Sequence, residues 1–132
     1  MDFKKIKEEM LETKTWAVVG VTNKKDRFAY KIWKILKDHN YTSYGVNPNY
    51  QEIDGEKIYA SIKDIPEKIH VVNMVLSPRF GSSVLDEAKE LGIEYIFFQP
   101  GSYDEDIIKK AESLNFKYLI EDCIYATLKE RE

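Results

Sequence analysis

The residues best suited to chemistry form a short basic loop that follows an apolar run and a glycine. Residues 16–21 read Trp-Ala-Val-Val-Gly-Val, and six polar or charged residues come next. Gly20 lets a ligand approach the backbone, because it carries no Cβ. The loop after it offers hydrogen bonds and three positive charges, supplied by Thr22, Asn23, Lys24, Lys25 and Arg27.

This loop lies between a predicted strand and a predicted helix. A helical pattern begins at Phe28, so the local order is strand, loop, helix. A helix N-terminus carries about half a positive elementary charge and free N–H groups, which add to the charge of the loop. The arrangement suits a ligand with several phosphates. Taken alone, the loop is equally consistent with a solvated surface turn, since runs of charge are common on surfaces.

The elements around the loop alternate between short apolar runs and amphipathic segments. Five runs have the length and composition of buried strands: 16–21, 42–46, 71–76, 95–98 and 118–120. Five segments have the apolar spacing of helices: 1–14, 28–40, a segment with Val84, Leu85, Ala88 and Leu91 that stops at Gly92, a segment with Ile107, Ile108, Ala111 and Leu114, and 124–129. Asp2 is the predicted cap of the first helix, and Ser102 with Glu105 has the spacing of a capping box.

Strands and helices that alternate with short connections are typical of βαβ units in a parallel sheet. We therefore predict an α/β fold: a Rossmann-like three-layer sandwich with a five-stranded, mainly parallel sheet and helices on both faces. Parallel strands all point the same way, so the loops that follow them share one edge, where ligands of such sheets bind. The loops predicted at this rim are 22–27, 47–49, 77–79 and 99–101.

Length and charge narrow the class of protein. The 132 residues, of which 43% are hydrophobic and 33% charged, are expected to form one domain, 1–132, with 1–14 as its N-terminal helix. The formal net charge of −3 argues against general nucleic-acid binding, which needs a basic face. We find no signal-peptide core and no apolar run long enough to span a membrane, so we expect a cytoplasmic protein.

Recognisable catalytic and metal-binding motifs are missing. The sequence has no P-loop, no G-x-S-x-G elbow and no metal-ligand cluster, so we predict neither a catalytic nor a metal site. It also lacks G-x-G-x-x-G, and Asn47 stands where an NAD site would place an acid. His39, His70 and Asn73 are interpreted as structural. Cys123 is the only cysteine, which excludes an internal disulfide, and it is interpreted as a structural thiol.

Several short motifs follow one another in an order that is typical of one family. They read G-V-T-N-K-K-D-R-F-A-Y at 20–30, Y-G-V-N-P at 44–48, V-V-N at 71–73, Q-P-G at 99–101 and E-D-C-I at 121–124. Over about residues 15–124 the chain resembles the small, single-domain CoA-binding proteins of bacteria and archaea. These proteins are related to the N-terminal CoA-binding domain of the succinyl-CoA synthetase alpha subunit.

The resemblance implies a Rossmann-like domain that binds CoA or an acyl-CoA at the predicted rim. The residues implied at the phosphates and at the start of the helix are Gly20, Val21 and Thr22, with Lys24, Lys25 or Arg27 as neutralising cations, and Tyr30. The resemblance also implies that Asn47 and Pro48 lie beside the adenosine or pyrophosphate. It implies that the nucleotide site has a wall formed by Leu76, Ser77 and Pro78. Gln99 and Gly101 are implied nearer the pantetheine. Ligase activity by this chain alone is not expected, because the sequence has neither the second domain of the synthetase nor a match to the histidine that the synthetase phosphorylates.

The sequence departs from the family pattern in four places, one of them a pair of residues. Lys25 replaces a proline of the first loop, Ala29 replaces a serine at the start of the helix, and Glu121 replaces an aspartate. Val75-Leu76 stands where a Phe-Arg pair often ends the third strand, so one expected cation is missing. These departures bear on individual contacts more than on the fold.

Two other functions stay open at this stage. An NAD(H)-binding regulatory protein would have a similar fold, and an acyl-CoA or thiol enzyme would use Cys123. A homodimer or an unknown protein partner is also compatible with the sequence. The tyrosines that could cover a ligand or a dimer surface are Tyr41, Tyr50, Tyr59 and Tyr103.

Overall fold

A computed structural model describes residues 1–132 and shows strands that alternate with helices. The helices are α1 (Phe3–Leu11), α2 (Phe28–Asp38), α3 (Pro78–Glu90), α4 (Glu105–Ser113) and α5 (Ile124–Glu130). The strands are β1 (Thr15–Val19), β2 (Thr42–Val46), β3 (Glu52–Ile53), β4 (Glu56–Lys57), β5 (Val71–Met74), β6 (Tyr95–Phe98) and β7 (Lys117–Leu119). A single 3-10 turn covers Ile62–Asp64. None of the helices has both the length and the apolar composition needed to cross a membrane.

Five of the strands form one sheet with the order β2-β1-β5-β6-β7. Every neighbouring pair in it is parallel, and helices cover both faces. The short strands β3 and β4 pair with each other as an antiparallel hairpin. The predicted Rossmann-like α/β class is therefore confirmed. The chain passes from β1 to β2 on one side and then to β5 on the other, so the strand order reverses between β1 and β5.

The sheet separates two apolar cores. All five residues of β1 are buried, and their side chains alternate between the two faces, as those of any strand do. Trp16 and Val18 join a core with residues of α1, α2 and α5. Ala17 and Val19 join a second core with residues of α3 and α4. Because both faces are covered, the strand is apolar from Trp16 to Val19, and Thr15 at its start is polar but buried.

The helix ends confirm one predicted cap and correct another. The Asp2 side chain accepts a 3.1 Å hydrogen bond from a backbone N–H in the first turn of α1, as predicted. The predicted capping box of Ser102 with Glu105 is wrong, because the Asp104 side chain caps α4 instead. Ser102 lies in the preceding turn, where its hydroxyl donates to the Gln99 carbonyl oxygen at 2.7 Å.

Several strand ends differ from the apolar runs that predicted them. The run 16–21 ends as a strand at Val19, because Gly20 has a φ of +106° and turns the chain out of the sheet. The run 71–76 likewise ends two residues early, and the last strand covers Lys117–Leu119, one residue earlier than predicted. Apolar residues continue past these ends because the loops bury Val21 fully and bury Val75, Leu76 and Ile120 in part. Hydrophobicity alone therefore does not show where the ladder stops.

Two apolar residues of the predicted helical segments are exposed. Phe28, the first residue of α2, is 60% exposed, and Leu91, just after α3, is also exposed. Both residues lie at a helix end, and there the helix extends beyond the part of it that packs on the sheet. Phe28 packs edge to face on Tyr125 of α5, with the ring centroids 5.9 Å apart.

The β3–β4 hairpin packs against α2 and β2. Tyr30 of α2 donates a 2.5 Å hydrogen bond to an Asp54 carboxylate oxygen in the hairpin turn, which raises the pKa of the Tyr30 hydroxyl. Just after the hairpin, Ile58 lies against Gly45 of β2. A Cβ at Gly45 would lie 2.7 Å from the Ile58 Cδ1 and 3.0 Å from a Val21 methyl group. The glycine therefore lets β2, the hairpin and the segment after β1 pack together.

We expect Gly45→Ala to lower the free energy of unfolding by about 1–3 kcal/mol, because the added methyl group overpacks this contact. Urea denaturation measures the loss. Ile58→Val removes the Cδ1 atom and alone should cost about 0.5–1.5 kcal/mol. The double variant Gly45→Ala/Ile58→Val should lose less stability than the sum of the two single losses. Strictly additive losses would show that this contact is not the cause.

Candidate functional site

The carboxyl edge of the sheet carries two clefts, one on each face, where the strand order reverses. The first, which we call the α3-side cleft, has a volume of about 450 Å³ and lies between the ends of β1 and β2 and the first turns of α3. Its main lining residues are Gly20, Val46, Asn47, Pro48, Ser61, Leu76, Phe80 and Glu87. Glu87 is the single charged residue of the lining, so this cleft is largely neutral.

The second cleft, which we call the α2–α5 cleft, lies on the opposite face and has a volume of about 920 Å³. Helices α2 and α5 wall it, and Gly20, Val75 and Gln99 at the strand ends form its floor. Its other main lining residues are Thr22, Lys24, Arg27, Phe28, Cys123, Tyr125 and Lys129. Three of these are cations and no acid lines the cleft, so it is basic.

Gly20 lines both clefts, and the backbone there needs a glycine. Its φ of +106° is a conformation that residues with a side chain rarely adopt. Its N–H donates to the Val46 carbonyl oxygen at 2.9 Å, which holds it beside β2. A Cβ at Gly20 would lie 3.1 Å from the Val75 Cγ2 and 3.2 Å from the Leu76 nitrogen. The close approach of β5 at this point joins the two clefts at one residue.

Side-chain hydrogen bonds tie the loop after β1 to the loop after β2. The Asn47 Nδ2 donates to the Val21 carbonyl oxygen at 2.8 Å, and the Asn47 Oδ1 accepts from the Asn49 N–H at 2.9 Å. The Thr22 and Tyr50 hydroxyl oxygens lie 3.0 Å apart. Asn47, at the position where an NAD site would place an acid, therefore holds the two loops together through its Nδ2 and shapes its own loop through its Oδ1.

The three helices that begin at the clefts have no side-chain caps. Arg27 precedes α2, Ser77 precedes α3 and Cys123 precedes α5, and none of these side chains makes a capping hydrogen bond. By contrast, α1 and α4, which line neither cleft, are capped by Asp2 and Asp104. The first turns of α2 and α3 also contain no acid. Their N-terminal N–H groups and partial positive charge are therefore available to an anion.

The cations of the α2–α5 cleft differ in whether they have a partner. Lys24 and Arg27 are exposed, and neither forms a salt bridge. Lys129 lies 3.2 Å from the Glu132 carboxylate, and this hydrogen bond raises the pKa of Lys129. A cation without a partner gives up no interaction when an anion binds. Lys24 and Arg27 are thus the side chains best suited to bind phosphate.

The structure brings eight of the predicted site residues to the two clefts. The α2–α5 cleft contains Gly20, Thr22, Lys24, Arg27 and Gln99. The α3-side cleft contains Gly20, Asn47, Pro48 and Leu76. The predicted residues that line neither cleft are Val21, Lys25, Tyr30, Ser77, Pro78 and Gly101. Val21 is fully buried in the core and Tyr30 is bonded to the hairpin, which accounts for their absence from the linings.

The helical residues that line the clefts are missing from the predicted site. Phe80 and Glu87 of α3 line the α3-side cleft, and Tyr125 and Lys129 of α5 line the α2–α5 cleft. For α3 a signal existed, because Phe80 is an apolar residue in the first turn of a helix that follows a rim loop. For α5 the sequence gives no comparable signal, because the spacing of its apolar residues does not show which helix it packs on.

A buried pair of amides lies at the floor of the α2–α5 cleft. Asn73 in β5 is fully buried, and Gln99 just after β6 is 4% exposed. The Gln99 Nε2 donates to the Asn73 Oδ1 at 2.9 Å. The other two amide atoms, Asn73 Nδ2 and Gln99 Oε1, are buried without a hydrogen-bond partner. Each buried polar atom left without a partner costs on the order of 1–3 kcal/mol.

The side chains that could supply other chemistry are dispersed. His70 accepts a 3.3 Å hydrogen bond from the Thr15 N–H at the opposite end of the sheet, and His39 lies 3.1 Å from the Glu132 carboxylate. Neither histidine lines a cleft. Cys123 does line the α2–α5 cleft and is half-buried. No three His, Cys, Asp or Glu side chains come close enough together to hold a metal ion.

The fold and the site together define a Rossmann-like α/β domain with two ligand-sized clefts at the reversal of strand order. A family model described as a CoA binding domain matches residues 14–129. The chain therefore belongs to the CoA-binding domain family, which confirms the resemblance seen in its motifs. The match includes both clefts and every strand of the sheet.

The similar proteins are of two sizes. YneT of Bacillus subtilis is 28% identical over 119 residues, and the match covers 90% of this chain and 88% of YneT. A hypothetical protein from Pyrococcus horikoshii OT3 is 32% identical with a TM-score of 0.89, over 99% of this chain and 92% of its own. The ADP-forming acetate–CoA ligase of Methanocaldococcus jannaschii is 30% identical over 119 residues. That match covers 84% of this chain but 17% of the much longer ligase.

Replacing Gly20 should destabilise the protein more than replacing a glycine of similar conformation in open space. In Gly20→Ala the alanine must keep a positive φ, which costs about 1–2 kcal/mol. Its Cβ also crowds Val75 and Leu76, which follow β5. Gly101→Ala is the matched control, because Gly101 has a φ of +88° and its Cβ would meet nothing within 4 Å. Urea denaturation measures both losses. Equal losses would show that β5 does not restrict this position.

Proposed function

We propose that this protein binds CoA or an acyl-CoA across the edge where β1 and β5 meet, and that it catalyses no reaction of its own. The observation that carries the proposal is the meeting of a neutral and a basic cleft at Gly20, in a chain of the CoA-binding domain family. CoA has parts that match this arrangement: an adenosine, a group of phosphates and a long pantetheine arm. A bent, extended ligand of this kind needs two compartments with a phosphate site between them.

The α3-side cleft suits the adenosine. Asn47 and Pro48 line it from the loop after β2, Leu76 lines it from the loop after β5, and Phe80 lines it from α3. Apolar surface with a few polar groups is typical of sites for a base and ribose. Phe80 is exposed, so its ring is available to an aromatic base. Glu87, the charged residue of this cleft, disfavours phosphates there.

The phosphates are best accommodated beside Gly20, at the entrance of the α2–α5 cleft. There the chain offers Lys24 and Arg27 without acidic partners, and the uncapped N–H groups of α2. Both features favour anions. Gly20 has no side chain to keep a phosphate away from the backbone. The pantetheine arm would then extend along the α2–α5 cleft toward Gln99, past the ring of Tyr125.

Removing either unpaired cation should weaken CoA binding. We expect Lys24→Ala and Arg27→Ala each to raise the Kd for CoA about two- to tenfold, because exposed charge pairs contribute modestly. The effect should shrink at high salt, where the charges are screened. Titration calorimetry at two salt concentrations measures both effects. Lys68→Ala, which removes an exposed cation outside both clefts, should leave the Kd unchanged.

Binding of ligands that lack one part of CoA shows which part of CoA contacts Lys24 and Arg27. Dephospho-CoA lacks the 3′-phosphate and should bind more weakly than CoA. Equal heats for the two ligands would remove the 3′-phosphate from the proposed contact with Lys24 or Arg27. A wild-type Kd in the double variant Lys24→Ala/Arg27→Ala would contradict the whole placement of the phosphates. Tighter binding of NADH than of CoA would favour an NAD(H)-binding function instead.

An enzyme that uses Cys123 is the second candidate, because this thiol lines the cleft proposed for the pantetheine arm. A nucleophilic cysteine needs a nearby base or cations that favour the thiolate. Lys24, Arg27 and Lys129 line the same cleft, but no histidine does. We expect Cys123→Ser to keep the wild-type Kd for CoA, with no turnover of acyl-CoA by either protein. Turnover that is lost in Cys123→Ser would establish the enzyme instead.

A further inference from the structure

One polar side chain interrupts the apolar face of the sheet beneath the α2–α5 cleft. The strand register places Asn73 of β5 between Val18 of β1 and Phe97 of β6. The row continues to Gly45 of β2 on one side and Leu119 of β7 on the other. Asn73 is fully buried, so its amide has no access to bulk water.

Gln99 connects this buried amide to the cleft. It lies two residues after Phe97 on the same face of the sheet, and it forms the floor of the cleft with Gly20 and Val75. Its Nε2 donates to the Asn73 Oδ1 at 2.9 Å. This bond leaves one amide donor on Asn73 and one carbonyl acceptor on Gln99 without a partner.

The two unpaired groups match the hydrogen-bonding capacity of a secondary amide. If the nitrogen and oxygen positions of both side-chain amides were exchanged, Asn73 would donate to Gln99, and one donor and one acceptor would again be without a partner. A secondary amide carries one N–H and one C=O, so it can satisfy both. Val18 and Phe97, the neighbours of Asn73 in its row, can satisfy neither. The missing partner therefore has to come from the side of the cleft.

We propose that the Asn73–Gln99 pair binds a secondary amide of the ligand that occupies the α2–α5 cleft. The proposal rests on the proposed function, because the pantetheine arm of CoA contains two secondary amides and the nucleotide contains none. Gln99 lines the cleft and contacts the ligand amide. Asn73 orients the Gln99 amide through their hydrogen bond, and its free Nδ2 is the donor for the carbonyl oxygen of the ligand amide. Binding of the pantetheine arm would then depend on a neutral amide contact as well as on charge at the phosphates.

Titration calorimetry with CoA and with adenosine 3′,5′-bisphosphate, which lacks the pantetheine arm, tests the pair. The variant Asn73→Leu/Gln99→Met replaces both amides with apolar groups of similar shape. We expect its Kd for CoA to rise about 5- to 100-fold and its Kd for the bisphosphate to stay within about twofold. Its urea midpoint should equal or exceed that of the wild type, because two unpartnered buried atoms are removed. A merely structural pair would leave the ratio of the two Kd values unchanged.

The possible failures can be told apart. If the wild type and the variant have the same ratio of Kd values, the pair is structural and this proposal is wrong, while CoA binding stands. If the wild type binds neither ligand, the proposed function fails and this proposal fails with it. Should the double variant not fold, Gln99→Met alone is titrated with the same two ligands, with the same expected change in the ratio.

A change in the ligand tests the same contact on the unaltered protein. Replacing one pantetheine amide of CoA with an ester keeps the carbonyl and removes the N–H. We expect the ester at one of the two amide positions to weaken binding to the wild type about fivefold or more. Equal binding of CoA and of both ester analogues would overturn the proposal.

Discussion

The structure depends on the close approach of three strand ends at Gly20. β1 lies between β2 and β5, and the chain has to leave the sheet there without losing its place beside either neighbour. Gly20 does this with a positive φ while its N–H stays bonded to Val46. Because no side chain fills the space toward Val75 and Leu76, the two clefts reach the same point of the backbone. The site is thus a consequence of topology, since the reversal of strand order opens a gap and a glycine keeps it open.

The sequence predicts which strands and helices are present better than it predicts the residues at which they end. A continuous apolar run such as β1 predicts a buried parallel strand, because both faces of the strand are covered. Hydrophobicity does not show where the strand ends. Val21 lies outside the ladder yet is fully buried, because the loop packs it close to Gly45. The cap of α4 was missed for a related reason: Ser102 and Asp104 can both cap a helix, and the turn after β6 decides between them.

The candidate site could be predicted where it depends on strand direction and not where it depends on packing. Lys24, Asn47 and Gln99 follow parallel strands, so their place at one edge is implied by the alternation of elements. Tyr125 reaches the basic cleft because α5 packs on the start of α2, which no local spacing indicates. For Asn73, too, no local pattern in the sequence indicates the partner of its side chain. Its partner lies 26 residues away, and the register of β5 and β6 brings the two amides together.

The depth at which the Asn73–Gln99 pair is buried determines which ligand segments the cleft can distinguish. A polar group on a surface loop is satisfied by water, and a group in the middle of a core is beyond the reach of any ligand. Asn73 lies two residues before Val75 on the face that forms the cleft floor, and Gln99 lies on that floor itself. The two free groups of the pair are shielded from bulk water, so a ligand amide that reaches the floor of the cleft would supply the partners they lack. On the proposed function, the loop cations would hold the phosphates of the ligand, and the buried pair would distinguish an arm that carries amides from one that does not.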